Sequence, residues 1–152
     1  MAETTDLVTA TPSPTALSVN GFADSILARV SEDGFYATFS TEDMDGRKKL
    51  FSATQSAELL RNYMNTPLEI DNIVFAPTTI SDDEGFSNTV MGVYLITTDG
   101  RSFVSSSQGV CKSAATMLAQ LGDPAEWGGP LTMMCVETNT AKGRRYKSLK
   151  LC

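Results

Sequence analysis

"VMGVYLITTDGRSFVSSSQGVCKSAATMLAQL", residues 90–121, is the stretch around which the rest of the chain can be arranged. Asp99 and Gly100 are residue types that tolerate positive φ, and they separate two β-rich runs, so the stretch begins as a strand, a tight turn and a second strand. Ser107 then stands where an N-cap belongs. Val110, Cys111, Ala114, Leu118 and Leu121 follow at helical spacing on one face, until Gly122 and Pro124 stop the run. The pattern predicts strand, strand, helix.

Towards the C-terminus, "LTMMCVET" and "RYKSLKL" read as two more strands, joined by the loop "NTAKGR". On the other side, "LEIDNIVFAPTTI" reads as a strand that leads into the loop "DDEGFSN". From residue 68 onward the order is therefore strand, strand, strand, helix, strand, strand. An OB-fold barrel has this order, and another small β-barrel or half-barrel would show the same periodicity. Upstream, "FYATFSTEDMDGRKKLFSAT" reads as a hairpin turning at Asp45-Gly46, and "SAELLRNYM" as a helical turn or two started by Ser56. Residues 1–28, rich in Thr, Ser, Ala and Pro, are expected to be a flexible leader to a domain spanning 29–152. The expected fold is mainly β: an OB-fold-like small barrel with one helix and an extra N-terminal β-hairpin.

The 152 residues, 41% hydrophobic and 20% charged, suit one globular core. No apolar run is long enough to cross a bilayer and the first residues lack the pattern of a signal peptide, so the expected location is the cytoplasm, with no membrane partner. Three cysteines, odd in number and outside any CxxC spacing, point to reduced thiols. There is no histidine, which removes Ser/His and Cys/His nucleophilic pairs and the commonest general base near neutral pH. "TEDMDG" imitates an EF-hand start, but Thr41 holds the first ligand position and Ser52 the twelfth. "DDE" at 82–84 reads as a solvated turn. Lys142-Gly143 lacks the glycine spacing of a P-loop. No enzyme, no cofactor and no metal are expected.

Charge is unevenly distributed. "NTAKGRRYKSLK", residues 139–150, holds Lys142, Arg144, Arg145, Lys147 and Lys150, five of the chain's 12 Lys and Arg, without an acid, in a chain of net charge -6. An acidic protein does not coat duplex DNA through its overall charge, so any nucleic-acid binding must come from a patch. Strand alternation places Arg101, Phe103 and Ser105 on one face, Lys49 with Phe51, and Tyr146 with Ser148 and Lys150, while Leu149 and Leu151 turn away. Rings interleaved with cations suit single-stranded nucleic acid, because bases stack on the rings and cations follow the phosphates. The candidate set is Lys48, Lys49, Phe51, Tyr94, Arg101, Phe103, Lys142, Arg144, Arg145, Tyr146, Lys147 and Lys150. The plainer reading is that Phe51 and Phe103 are core residues and that the basic loop serves solubility.

Three blocks carry a family resemblance: "TFSTEDMDGRKKLFSA" at 38–53, "DGRSFVSSSQGV" at 99–110 and "KGRRYKSLKL" at 142–151. In order and spacing they resemble the replication single-stranded DNA-binding proteins of protein-primed Bacillus phages of the salasvirus type. The first is the most specific, joining Thr38, Phe39, Thr41, Glu42, Gly46, Lys49, Phe51 and Ala53. The resemblance implies an OB-like domain that coats the strand displaced during phage DNA replication, with no catalysis and no cofactor. Its partners would be single-stranded DNA and replication proteins, and its location the host cytoplasm. By position Phe103 inherits a base-contacting role held by tyrosine in the family, which keeps stacking and loses a hydroxyl contact. Residues 1–34 have no clear counterpart. The competing reading, a non-catalytic protein-interaction or virion structural module of the same architecture, predicts a contiguous apolar patch.

Overall fold

The computed structural model describes residues 19–81, 84–85, 87–139 and 142–152. Among them the strands in chain order are β1 (Tyr36–Ala37), β2 (Glu58–Leu59), β3 (Leu68–Ser81), β4 (Ser87–Thr97), β5 (Ser102–Ser105), β6 (Leu131–Asn139) and β7 (Arg145–Leu151). The helices are α1 (Val19–Asp33), α2 (Met44–Gln55) and α3 (Gln108–Leu121). All the strands join one sheet of order β2-β5-β4-β3-β6-β7, with β1 paired to β3 off that path. β3 serves two neighbours on one edge, β6 along Leu68–Ile70 and β1 at Val74 and Phe75, and it bulges between Ile70 and Asn72. The sheet curls into an OB-like half-barrel.

The 90–121 unit folds as its residues predict. Gly100 adopts φ 88 and its N–H donates to Thr97 O at 3.1 Å, while Thr97 N–H donates to Arg101 O at 2.8 Å, closing the turn. Ser107 is the N-cap residue of α3 through its backbone, its carbonyl accepting from Cys111 N–H at 3.0 Å, without a cap bond from its side chain. Gly122, at φ 80, ends the helix by donating to Leu118 O.

Two cores hold the sheet. On one face α1 and α3 bring Ile26, Val30, Val110, Ala114 and Leu118 against Ile70, Ile73, Phe75, Val93, Leu95 and Phe103. On the other, Ala53 of α2, with Leu50 beside it, packs on Val74, Ala76, Tyr94 and Ile96. Residues 92–97 of β4 are consequently buried without a break. Each large apolar side chain so buried stabilises the fold by about 1.5–3 kcal/mol.

This double cover corrects two expectations. Phe103 is 0% exposed and Tyr94 5%, so neither ring has a free face to offer a base. Alternation within β5 predicts one wet side, and both sides are covered.

The expected N-terminal hairpin is helix α2. Asp43, not Asp45-Gly46, is the local signal that matters: its side chain accepts the Gly46 N–H at 2.8 Å as an N-cap. Gly46 serves close packing rather than positive φ, since a Cβ there would lie 1.9 Å from Ser40 O. The inward positions Gly46, Leu50 and Ala53 include one large apolar residue, so the helical period is faint in the sequence.

"SAELLRNYM" forms β2 and a 3-10 turn at Leu60–Tyr63 instead of starting at Ser56. Helix α1 crosses the expected boundary at residue 28, and Ile26 and Val30 are core. Residues 1–18 of the expected leader, and Asp82 and Asp83 of "DDE", lie outside the described residues.

Candidate nucleic-acid interface

β7 is an edge strand. It pairs with β6 alone, in a register that sets Glu137 opposite Lys147, Thr138 opposite Tyr146 and Asn139 opposite Arg145. α3 begins hard against it: a Cβ on Gly109 would lie 2.0 Å from Lys147 O and 3.6 Å from the Tyr146 ring. Glycine at 109 lets helix and strand approach, and a groove of about 580 Å³ runs between them, lined by Tyr146, Lys112, Thr116, Gln120, Leu121 and Leu151 among others. Tyr146 is 45% exposed. Tyr146, Lys112 and apolar side chains therefore border a common open space.

The basic turn stands beside this groove. Lys142, Arg144 and Arg145 are exposed, and Gly143 takes φ 78 to make the turn. Arg145 lies 3.7 Å from Glu137, in a pair whose side chains are 73% and 42% exposed, a contact too long and too wet to hold the guanidinium firmly. Lys147 is half-buried and Lys150 exposed.

Arg101 is differently placed. Its Nε donates to Glu58 Oε2 at 2.9 Å, a terminal nitrogen donates to Tyr63 OH at 3.1 Å, and the guanidinium sits 4.9 Å from the Phe103 ring centre. Tyr63 OH donates to the other Glu58 oxygen. That bond from Tyr63, and then the one from Arg101, hold the Glu58 carboxyl below its ordinary range, while the hydrogen bond to Glu58 raises both the Tyr63 phenol and the Arg101 guanidinium. Arg101 is committed to fastening β2 and the following 3-10 turn onto β5.

Lys48, Lys49 and Phe51 ride on α2, which packs on β4 and β5. Lys49 and Phe51, two residues apart, point about 200° away from each other around a helix, so they do not share a face. Lys49 Nζ lies 4.7 Å from the Phe39 ring centre, and Phe51 is 67% exposed. Of the sequence-predicted residues Tyr146 alone lines the groove, Lys147 lines a second cleft with Arg61, and Lys48, Lys49 and Phe51 line neither.

Two cations that line these clefts, Lys112 and Arg61, are outside the set expected from the sequence. Lys112 lies on the polar side of α3, where charge is ordinarily a solvated face. Arg61 follows the buried Leu60 and shares a second cleft with Lys147. Nothing local marks either one.

Burial pushes the Cys111 thiol up to about 11 and raises Cys135 as well, so neither is a thiolate near neutral pH. Among the described residues no His, Cys, Asp or Glu side chains gather as a metal site, and no helix is long and apolar enough to cross a membrane. A family model described as phage single-stranded DNA-binding protein matches residues 29–152. Comparisons with curated proteins and with solved structures gave no match.

Proposed function

The chain belongs to the phage single-stranded DNA-binding protein family, and from that premise we propose that it binds single strands irrespective of sequence, coating and protecting those displaced during phage DNA replication. The observation that carries this reading is the family match across residues 29–152. The exposed Tyr146 ring, set among Lys142, Arg144, Arg145 and Lys147, supports a mechanism. Bases stack on Tyr146 in the α3/β7 groove, for about 1–3 kcal/mol each, and the hairpin cations follow the phosphates. Phe51 offers a second ring beside Lys48. Phe103 and Tyr94 act through the core. The work is binding, with no chemical step and no cofactor, and replication proteins are the further partners of the coated strand.

A duplex hides base faces, and the net charge of -6 penalises its denser phosphate charge, so binding favours unpaired DNA. A ligand of the unpaired state pulls the pairing equilibrium towards itself. Saturating protein should lower the melting temperature of a labelled, AT-rich short duplex at low salt, and added salt should abolish the effect. The Arg144→Ala/Arg145→Ala/Lys147→Ala variant should lose most of it, with the salt slope for oligo-dT lower by about 2, at about 0.7 per lost phosphate contact. A melting temperature that stays put or rises, while DNA is still retained on a filter by the protein, means duplex binding and overturns the reading.

A further inference from the structure

The two ends of the strand order meet in space. β2 and β5 supply Leu59, Val104 and Ser105, β7 at the far end supplies Lys147, and together with Arg61, Thr79, Ser106 and Ser107 they line a cleft of about 370 Å³. Its lining holds two cations and no acid, in a chain with 18 Asp and Glu against 12 Lys and Arg.

The state of these groups matters more than their number. Arg101, close by in sequence to the same strand, is pinned by Glu58. Arg61 is exposed and has no ion pair or hydrogen bond among the described residues. Glu137, the cross-strand neighbour of Lys147, makes a long contact of 3.7 Å with Arg145 and no ion pair with Lys147 among the described residues. The hydroxyls of Ser106 and Ser107 likewise lack partners among the described residues, while Ser105 Oγ accepts the Ser107 N–H at 3.1 Å and holds the serine run in place. Leu59 and Val104 add apolar surface. Two cations, serine hydroxyls and apolar side chains lining one cleft match a phosphate that carries a sugar.

Resting on the single-strand reading above, we propose that this seam cleft holds one phosphodiester of the bound strand, gripped by Arg61 from one edge of the sheet and Lys147 from the other, with Ser106 and Ser107 donating to its oxygens. A strand lying there bridges two sheet edges that make no ladder with each other.

The test is oligo-dT binding as a function of salt, with Arg61→Ala, Arg61→Gln, Lys147→Ala and the Arg61→Ala/Lys147→Ala double variant. Loss of one phosphate contact should lower the salt slope by about 0.7 in each Arg61 variant, which is about eightfold in affinity at about 50 mM salt. Because one phosphate is shared, the double variant should lose less than the sum of the single losses. Arg61 is exposed, so thermal unfolding of its variants should match the parent. If both Arg61 variants keep the parent's slope and affinity while Tyr146→Ala still weakens binding, single-strand binding stands and the cleft plays no part in it. An Arg61-dependent affinity for inorganic phosphate with oligo-dT binding untouched also overturns the proposal. A parent protein that binds no oligo-dT overturns the single-strand reading itself.

Discussion

β5 and β7 both set an aromatic ring beside cations: Phe103 two residues from Arg101, Tyr146 between Arg145 and Lys147. The fold treats them oppositely. β5 lies between β2 and β4, with Phe103 in the core under α1 and α3 and Val104 packed against the core under α2. β7 has a single neighbour and leaves Tyr146 45% exposed at a groove. Their cations differ as well. Arg101 is fastened to Glu58 at 2.8 Å, whereas Arg145 of the hairpin makes a long contact of 3.7 Å with Glu137. Alternation along a strand says which residues share a side. Whether that side meets water depends on what covers it.

The largest effect expected from this contrast is on stability. Phe103→Ala should cost about 3–5 kcal/mol of unfolding free energy, because it empties a fully enclosed ring site. Urea denaturation measures it, and binding corrected for the folded fraction should be nearly unchanged. A variant that stays folded with a loss under about 1 kcal/mol and binds DNA poorly would return Phe103 to the interface and erase the contrast.

Tyr146→Ala should show the converse. Binding to oligo-dT should fall by about 1–3 kcal/mol with little change in salt slope, since a stacked ring neutralises no phosphate, and the unfolding curve should barely move. Unfolding by circular dichroism at ordinary temperature would make Tyr146 a core residue like Phe103.

The smallest effect separates the two sets of cations by pH. Glu58 has a folded-state pKa below its ordinary value, chiefly through Tyr63 and then Arg101, so its contribution to stability is present above about 4.3 and is lost as pH falls through the lowered value. Glu58→Gln should therefore flatten the acid limb of the melting temperature in that window and leave the neutral range less stable by a small amount, since the pair is 45% and 38% exposed. An acid limb identical in variant and parent would show that Arg101 is no more restrained than Arg145.

Much of the architecture was legible because it rests on chemistry spanning a few residues. The Asp99-Gly100 turn needs a residue that accepts φ 88, and Gly100 supplies it. α3 shows its period because Val110, Ala114 and Leu118 recur on one face. The order of elements from residue 68 follows from such signals. The basic hairpin, too, is written contiguously. α2 was illegible for a related reason: its inward residues include Gly46 and Ala53, chosen by the space left beneath the helix, and Gly46 answers to a backbone carbonyl at Ser40 rather than to a turn.

From the order of residues alone came the succession of strands and helix, the acid-free run of cations at 139–150 and the sharing of sides along each strand, all properties of neighbours in the chain. The burial of Phe103, the capture of Arg101 by a residue 43 positions away and the meeting of Arg61 with Lys147 at the seam arose only on folding. The physical reason is that burial and pairing belong to the space around a side chain. That space is filled by elements distant in sequence, and a one-dimensional pattern records the direction a side chain takes without recording what it meets there.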